Sequence, residues 1–144
     1  MGLDMYLSAR KFYWSDDQAP SDPDVPEGFK VDYLIVEAVY WRKANAIHKW
    51  FVDNVQDGED ECRAHYVSRP QLAELRDLCA KVAADPAKLG PELLPTQSGF
   101  FFGETDYDEW YGEYVADTVS KINKVLDPTV FDPKIWEFEY RSSW

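Results

Sequence analysis

Two stretches of the chain collect residue types that could do chemistry. The first is YWRKANAIHKWF, 40–51, with two tryptophans, an amide, an imidazole and several cations in twelve residues. On a helix, Trp41, Asn45, His48 and Val52 fall along one line, and Arg42, Asn45 and Lys49 along another. Guanidinium and ammonium groups hold phosphate and flat rings stack on a base, so the mixture suits an anionic, ring-bearing ligand. The plainer reading makes Arg42, Lys43 and Lys49 a solvated face and His48 a hydrogen-bonded residue at the core edge. The second stretch, PTQSGFFFG, 95–103, offers Thr96, Gln97 and Ser98 in a turn beside three phenylalanines. It lacks the GxxxxGK[ST] pattern of a phosphate loop. One or two of the rings should anchor the loop in the core, leaving another, with Phe101 the candidate, to stack on what the polar residues hold. Arg141, near the end of the sequence, would complete the cation set.

His48 is also the one candidate for general acid–base work, because an imidazole titrates near neutral pH. No HxH, HxxxH or GxSxG signature accompanies it. Binding without catalysis is therefore the first expectation, and hydrolysis of the ligand by His48 the second. ETDYDEWYGEY, 104–114, is rich in acids; Asp106, Asp108 and Glu109 read first as helix-capping groups. An acidic, aromatic surface that binds a protein or mimics DNA is the third expectation. Cys62 and Cys79 are too few for a disulfide framework and, with His48 and His65, poorly spaced for zinc. The expectation is free thiols in a cytoplasmic protein, with no metal and no cofactor.

Composition narrows the partners. Twenty-seven acids against fifteen bases give a formal net charge of −12, which repels phosphate backbones and disfavours general nucleic-acid binding. A small anion remains compatible, since a few placed cations dominate within a desolvated pocket. No apolar run is long enough to cross a membrane. Aromatic residues make up 16% of the 144, more than a small core uses, so some should line a pocket or a partner surface; an exposed aromatic strip would allow a homo-oligomer.

The elements that must position these residues follow from periodicity. Residues 3–14 and 31–40 alternate and read as two antiparallel strands around an acidic, proline-rich loop, 15–30. From Trp41 the apolar spacing changes to three and four, giving a helix to about Val55. A short strand at 62–68 precedes a helix that Ser68 and Gln71 open as a capping box. Residues 87–103 should wander over the surface. Thr105 or Asp106 should cap a long helix ending near Val125, and 135–144 alternates as a last strand. The predicted fold is a single α+β domain over 1–144, an antiparallel or mixed sheet of about four strands with three helices packed on it.

GLDMYL, YWRKANAIHKWF, LLPTQSGFFFG with TDYDEWY, and YRSSW together resemble a family of small proteins carried by bacteriophages and prophages, whose members are of unknown function. The resemblance covers most of the chain apart from the acidic loop. It implies an accessory role, such as countering host defence by sequestering or degrading a nucleotide-derived signal or by masking a host protein.

Overall fold

The computed structural model describes residues 2–15 and 17–144; within the acidic loop expected at 15–30, Asp16 therefore lies outside the described residues. The chain runs β1 (Asp4–Phe12), β2 (Tyr33–Arg42), α1 (Asn45–Val55), β3 (His65–Val67), α2 (Arg69–Ala83), α3 (Pro86–Leu93), α4 (Glu109–Leu126) and β4 (Trp136–Ser143). The strands form one antiparallel sheet in the order β2-β1-β4-β3, so the fold is α+β, with β1 and β4 in the middle.

Alternation sets the two faces of that sheet. In β1, Met5, Leu7 and Ala9 are fully buried beneath the helices while Tyr6, Ser8 and Arg10 face outward. In β4, Phe138, Tyr140 and Ser142 point inward, and Glu137, Glu139 and Arg141 point out. The helices supply the other half of the core with Ile47 and Phe51 from α1, Leu72, Leu75 and Cys79 from α2, and Tyr111, Val115 and Ile122 from α4. Each fully buried Leu, Ile, Val or Phe among them stabilises the fold by roughly 1.5–3 kcal/mol relative to exposure. Burial also pushes the Cys79 thiol up to about 12, so this cysteine is an inert part of the core.

Local signals explain most element ends. Ser68 accepts from Gln71 N–H while the Gln71 amide reaches back to Ser68 N–H, the expected capping box. Three expectations need correction. Trp41 belongs to β2 and not to α1: the ladder continues through Met5↔Trp41 and Asp4↔Arg42, and only at Lys43, whose φ of 53° is left-handed, does the chain turn into the helix. The cap of α4 is Asp108, which accepts from Tyr111 N–H, rather than Thr105 or Asp106. The surface segment after Ala87 contains a fourth helix. Here α3 begins with Pro86 in its first turn, and Gly90 lies so close to α4 that an added Cβ would sit 2.7 Å from the Tyr111 hydroxyl. Packing against α4 offsets the helix-breaking character of Gly90 and Pro91.

Candidate functional site

The residues singled out above occupy three separate places. Asn45 and His48 stand one turn apart on the buried side of α1 and are both fully enclosed. The Asn45 amide donates to Phe102 O (3.0 Å) and Glu104 O (2.8 Å), and its carbonyl accepts from Gln97 N–H (3.0 Å). Asn45 thus clamps the loop 97–104 onto α1. Beside it Thr96 donates to Thr105 O, and within it the Gln97 side chain donates to Ser98 O, while the Ser98 side chain is exposed. Phe102 is the anchoring ring, Phe101 is half-buried, and Phe100 is almost wholly exposed. Gly99 permits this turn, because a Cβ there would meet the Phe102 ring at 2.9 Å.

His48 is the centre of a polar chain. Its Nε2 lies 2.9 Å from Asp60 Oδ1 and its Nδ1 2.6 Å from the Tyr140 hydroxyl, while Trp144 Nε1–H also donates to Asp60 Oδ1 at 3.2 Å. An ionised carboxylate can only accept, so the neutral ring carries its proton on Nε2 and accepts at Nδ1 from Tyr140. Burial lowers the His48 pKa, with the Asp60 charge and hydrogen bond pulling against it, and burial likewise raises that of Tyr140. Both ring nitrogens are occupied and the ring is inaccessible, so His48 has no atom left to offer a substrate in this arrangement.

The opening beside His48 is small. A recess of about 220 Å³ is lined by Lys49, Asp53, Asp60 and Gln97 among others. Its one cation is paired already, Lys49 Nζ to Asp53 Oδ2 at 2.6 Å, and its two carboxylates oppose an anion. Trp41 is inside the protein, donating from Nε1 to Thr118 Oγ1 at 2.9 Å. Arg42 and Arg141 lie on the opposite, uncovered face of the sheet. Arg42 pairs with Asp4 at 2.7 Å, Tyr40 also donates to that carboxylate, and the Arg141 guanidinium covers the Tyr6 ring at 4.5 Å. The Tyr40 hydrogen bond, followed by Arg42, holds the Asp4 carboxyl below its ordinary range. The sheet itself separates these two arginines from Asn45, His48 and the loop.

Cations and rings do come together elsewhere. Where β1 leaves the sheet, a concavity of about 490 Å³ is lined by Arg10, Lys11, Phe12, Trp14, Tyr33 and Lys134 together with Asp17 and Glu137. This volume falls within the range of small-molecule sites, roughly 300–1,000 Å³, and the recess beside His48 falls below it. Phe12 contacts Trp14 edge-on at 4.7 Å and Tyr33 at 5.0 Å between ring centroids. The Arg10 guanidinium sits 4.4 Å above Tyr33 and bonds Glu139 at 3.2 Å, while Lys11 Nζ lies 4.8 Å over Tyr13. Arg10 Nε is buried with no hydrogen-bond partner among the described residues. Trp14 is 69% exposed, its ring unspent on the core. Asp17 is partly committed, accepting from Trp14 N–H at 2.9 Å.

The sequence signal for this place was ARKFYW, 9–14, two cations and three rings in six residues where a strand runs into a polar loop. Tyr33 and Lys134 could not have been added without the register that sets β2 and β4 beside β1. Among the described residues no three His, Cys, Asp or Glu side chains gather as a metal-holding group, and no helix is long and apolar enough to cross a membrane. No family model matches the chain, and comparison with curated proteins and with solved structures gave no match either.

Proposed function

We propose that the protein binds, without chemical conversion, a small ligand carrying both a flat ring and a phosphate, and that it does so in the concavity at the end of β1. One observation carries this reading: three cations and a cluster of aromatic rings border the same cavity of about 490 Å³ in a chain of net charge −12. Trp14, Phe12 and Tyr33 supply faces on which a base stacks, and Lys11, Lys134 and Arg10 supply the counter-charge. A nucleotide or nucleotide-derived compound has that combination of parts. Tight retention of such a compound is sufficient to lower its free concentration, which is how a phage-borne accessory protein would blunt a host signal.

The test is to incubate the protein with a mixture of cyclic and linear nucleotides and NAD-derived compounds, filter, denature the retained protein and identify both fractions by mass spectrometry. A compound depleted from the filtrate and recovered intact is the expected result. Its retention should survive Lys49→Ala, which leaves the lining of this concavity intact, and fail in Lys11→Glu/Lys134→Glu. Recovery of fragments would replace binding by catalysis, and a filtrate containing every compound in full would remove the ligand reading altogether.

A further inference from the structure

A different part of the sheet points to a macromolecular contact. β2 is an edge strand, and the direction of its backbone groups follows from two bonds at its ends: Tyr13 N–H donates to Asp32 O (2.8 Å) and Lys43 N–H to Leu3 O (2.7 Å). In an antiparallel ladder, residues alternate between those bonded to the neighbouring strand and those whose N–H and C=O point away. Counting from Asp32, Leu34 and Val36 point to β1 while Tyr33, Ile35 and Glu37 point outward. Counting back from Lys43, Tyr40 points outward. The register shift opposite Leu7 and Ser8 makes Ala38 the extra residue that reconciles the two counts.

One end of this edge is closed, since Lys121 Nζ donates to Tyr40 O at 2.9 Å. From Tyr33 to Glu37 it is open: the outward backbone groups of Tyr33, Ile35 and Glu37 have no partner among the described residues. Ile35 is 54% exposed, and the segment contains neither proline nor lysine; its one charged residue, Glu37, stands at the end next to the bulge.

We propose that this edge pairs with the same edge of a second copy of the chain, antiparallel about a two-fold axis through Ile35. That register alone engages all three outward residues, Tyr33 with Glu37 of the second copy, Ile35 with its counterpart, and Glu37 with Tyr33. Each pair exchanges both N–H···O bonds. It is also the register that charge favours. The only charged side chain in the segment, Glu37, avoids its own copy and arrives beside Tyr33, whose ring already lies beneath the Arg10 guanidinium. On the other face, half-buried Leu34 meets Val36 of the second copy and prolongs the apolar layer. Two four-stranded sheets become one, and the bulge at Ala38 confines the pairing to this segment. A second copy is selected over a foreign extended peptide because one two-fold register meets every outward backbone group from Tyr33 to Glu37 while keeping the two Glu37 carboxylates apart.

Light scattering coupled to size exclusion, over a concentration series of the full chain, should give twice the 16.7 kDa of one copy. Ile35→Lys places like charges against each other on the axis, and Ile35→Pro removes an outward N–H while sparing the ladder to β1. Both should be monomeric. A wild-type protein that is monomeric throughout, or a dimer that persists in both variants, overturns the proposal. Should either variant fold poorly, amide exchange of the wild type decides: the Ile35 and Glu37 N–H groups should gain protection with concentration, and fast exchange at every concentration sinks the pairing.

Discussion

The recess beside α1 and the concavity at the end of β1 draw on the same residue types and use them in opposite ways. Beside α1 the polar groups satisfy one another: Asn45 is saturated by the 97–104 loop, His48 by Asp60 and Tyr140, and Lys49 by Asp53. At the end of β1 they do so only in part, Arg10 holding Glu139 through one nitrogen and Asp17 accepting from Trp14 N–H. Trp14 projects into solvent, and the Arg10 Nε is unsatisfied among the described residues. A fully paired network in a low-dielectric interior rigidifies a fold, whereas exposed rings and cations whose bonding is incomplete among the described residues, bordering a concavity, are left to recognise something else. Residue types announce a site less reliably than the bonds those residues have not yet made.

The sharpest way to break the comparison is His48→Ala. It leaves the Tyr140 hydroxyl and part of Asp60 without a partner and opens a void under Phe102, so unfolding free energy by denaturant titration should fall by about 3 kcal/mol. Retention of the proposed ligand by the protein that remains folded should be unchanged. A variant as stable as wild type, with ligand retention abolished, would transfer the functional role back to α1.

Trp14→Ala is the mirror image. Losing an aromatic platform should weaken binding of the proposed ligand by about 2 kcal/mol, roughly thirtyfold in Kd by isothermal titration. Stability should stay within about 0.5 kcal/mol of wild type, as for other exposed positions. Unaltered affinity would detach the rings of this concavity from the ligand.

A finer distinction comes from pH, with the smallest effect because it rests on proton binding by one ring. The folded pKa of His48 lies below its ordinary 6.5, since burial outweighs the pull of Asp60. On acidification the unfolded imidazole binds its proton first, so this contribution is present above 6.5 and is lost as the pH falls toward the folded value. Denaturation midpoints measured at about pH 7.5 and about pH 5.5 should drop more in the wild type than in His48→Gln. Equal drops would show that His48 titrates alike in both states.

Much of the fold was legible because it rests on short-range rules. Alternation in 3–14 and 135–144 marked β1 and β4, and Ser68 with Gln71 marked the start of α2. The misplacement of Trp41 also has a local cause: an amphipathic spacing of three and four runs backward from α1 into the last residues of β2, and nothing local says that Asp4 and Met5 will hold Trp41 and Arg42 in a ladder. α3 escaped notice because its Gly90 and two prolines argue against a helix until α4 is there to pack on.

The sequence by itself determined the class of fold, the acidity that sets the chain against nucleic-acid backbones, and the residues able to recognise an anion or a ring. Tertiary structure decided which of those residues are free. Burial turned Asn45 and His48 into internal fastenings, because a polar group withdrawn from water must find partners within the protein, and the sheet separated Arg42 and Arg141 from them. The same sheet brought Tyr33 beside Phe12 and Lys134 near Lys11, residues that share no local pattern, since strand register and not sequence distance fixes which side chains meet.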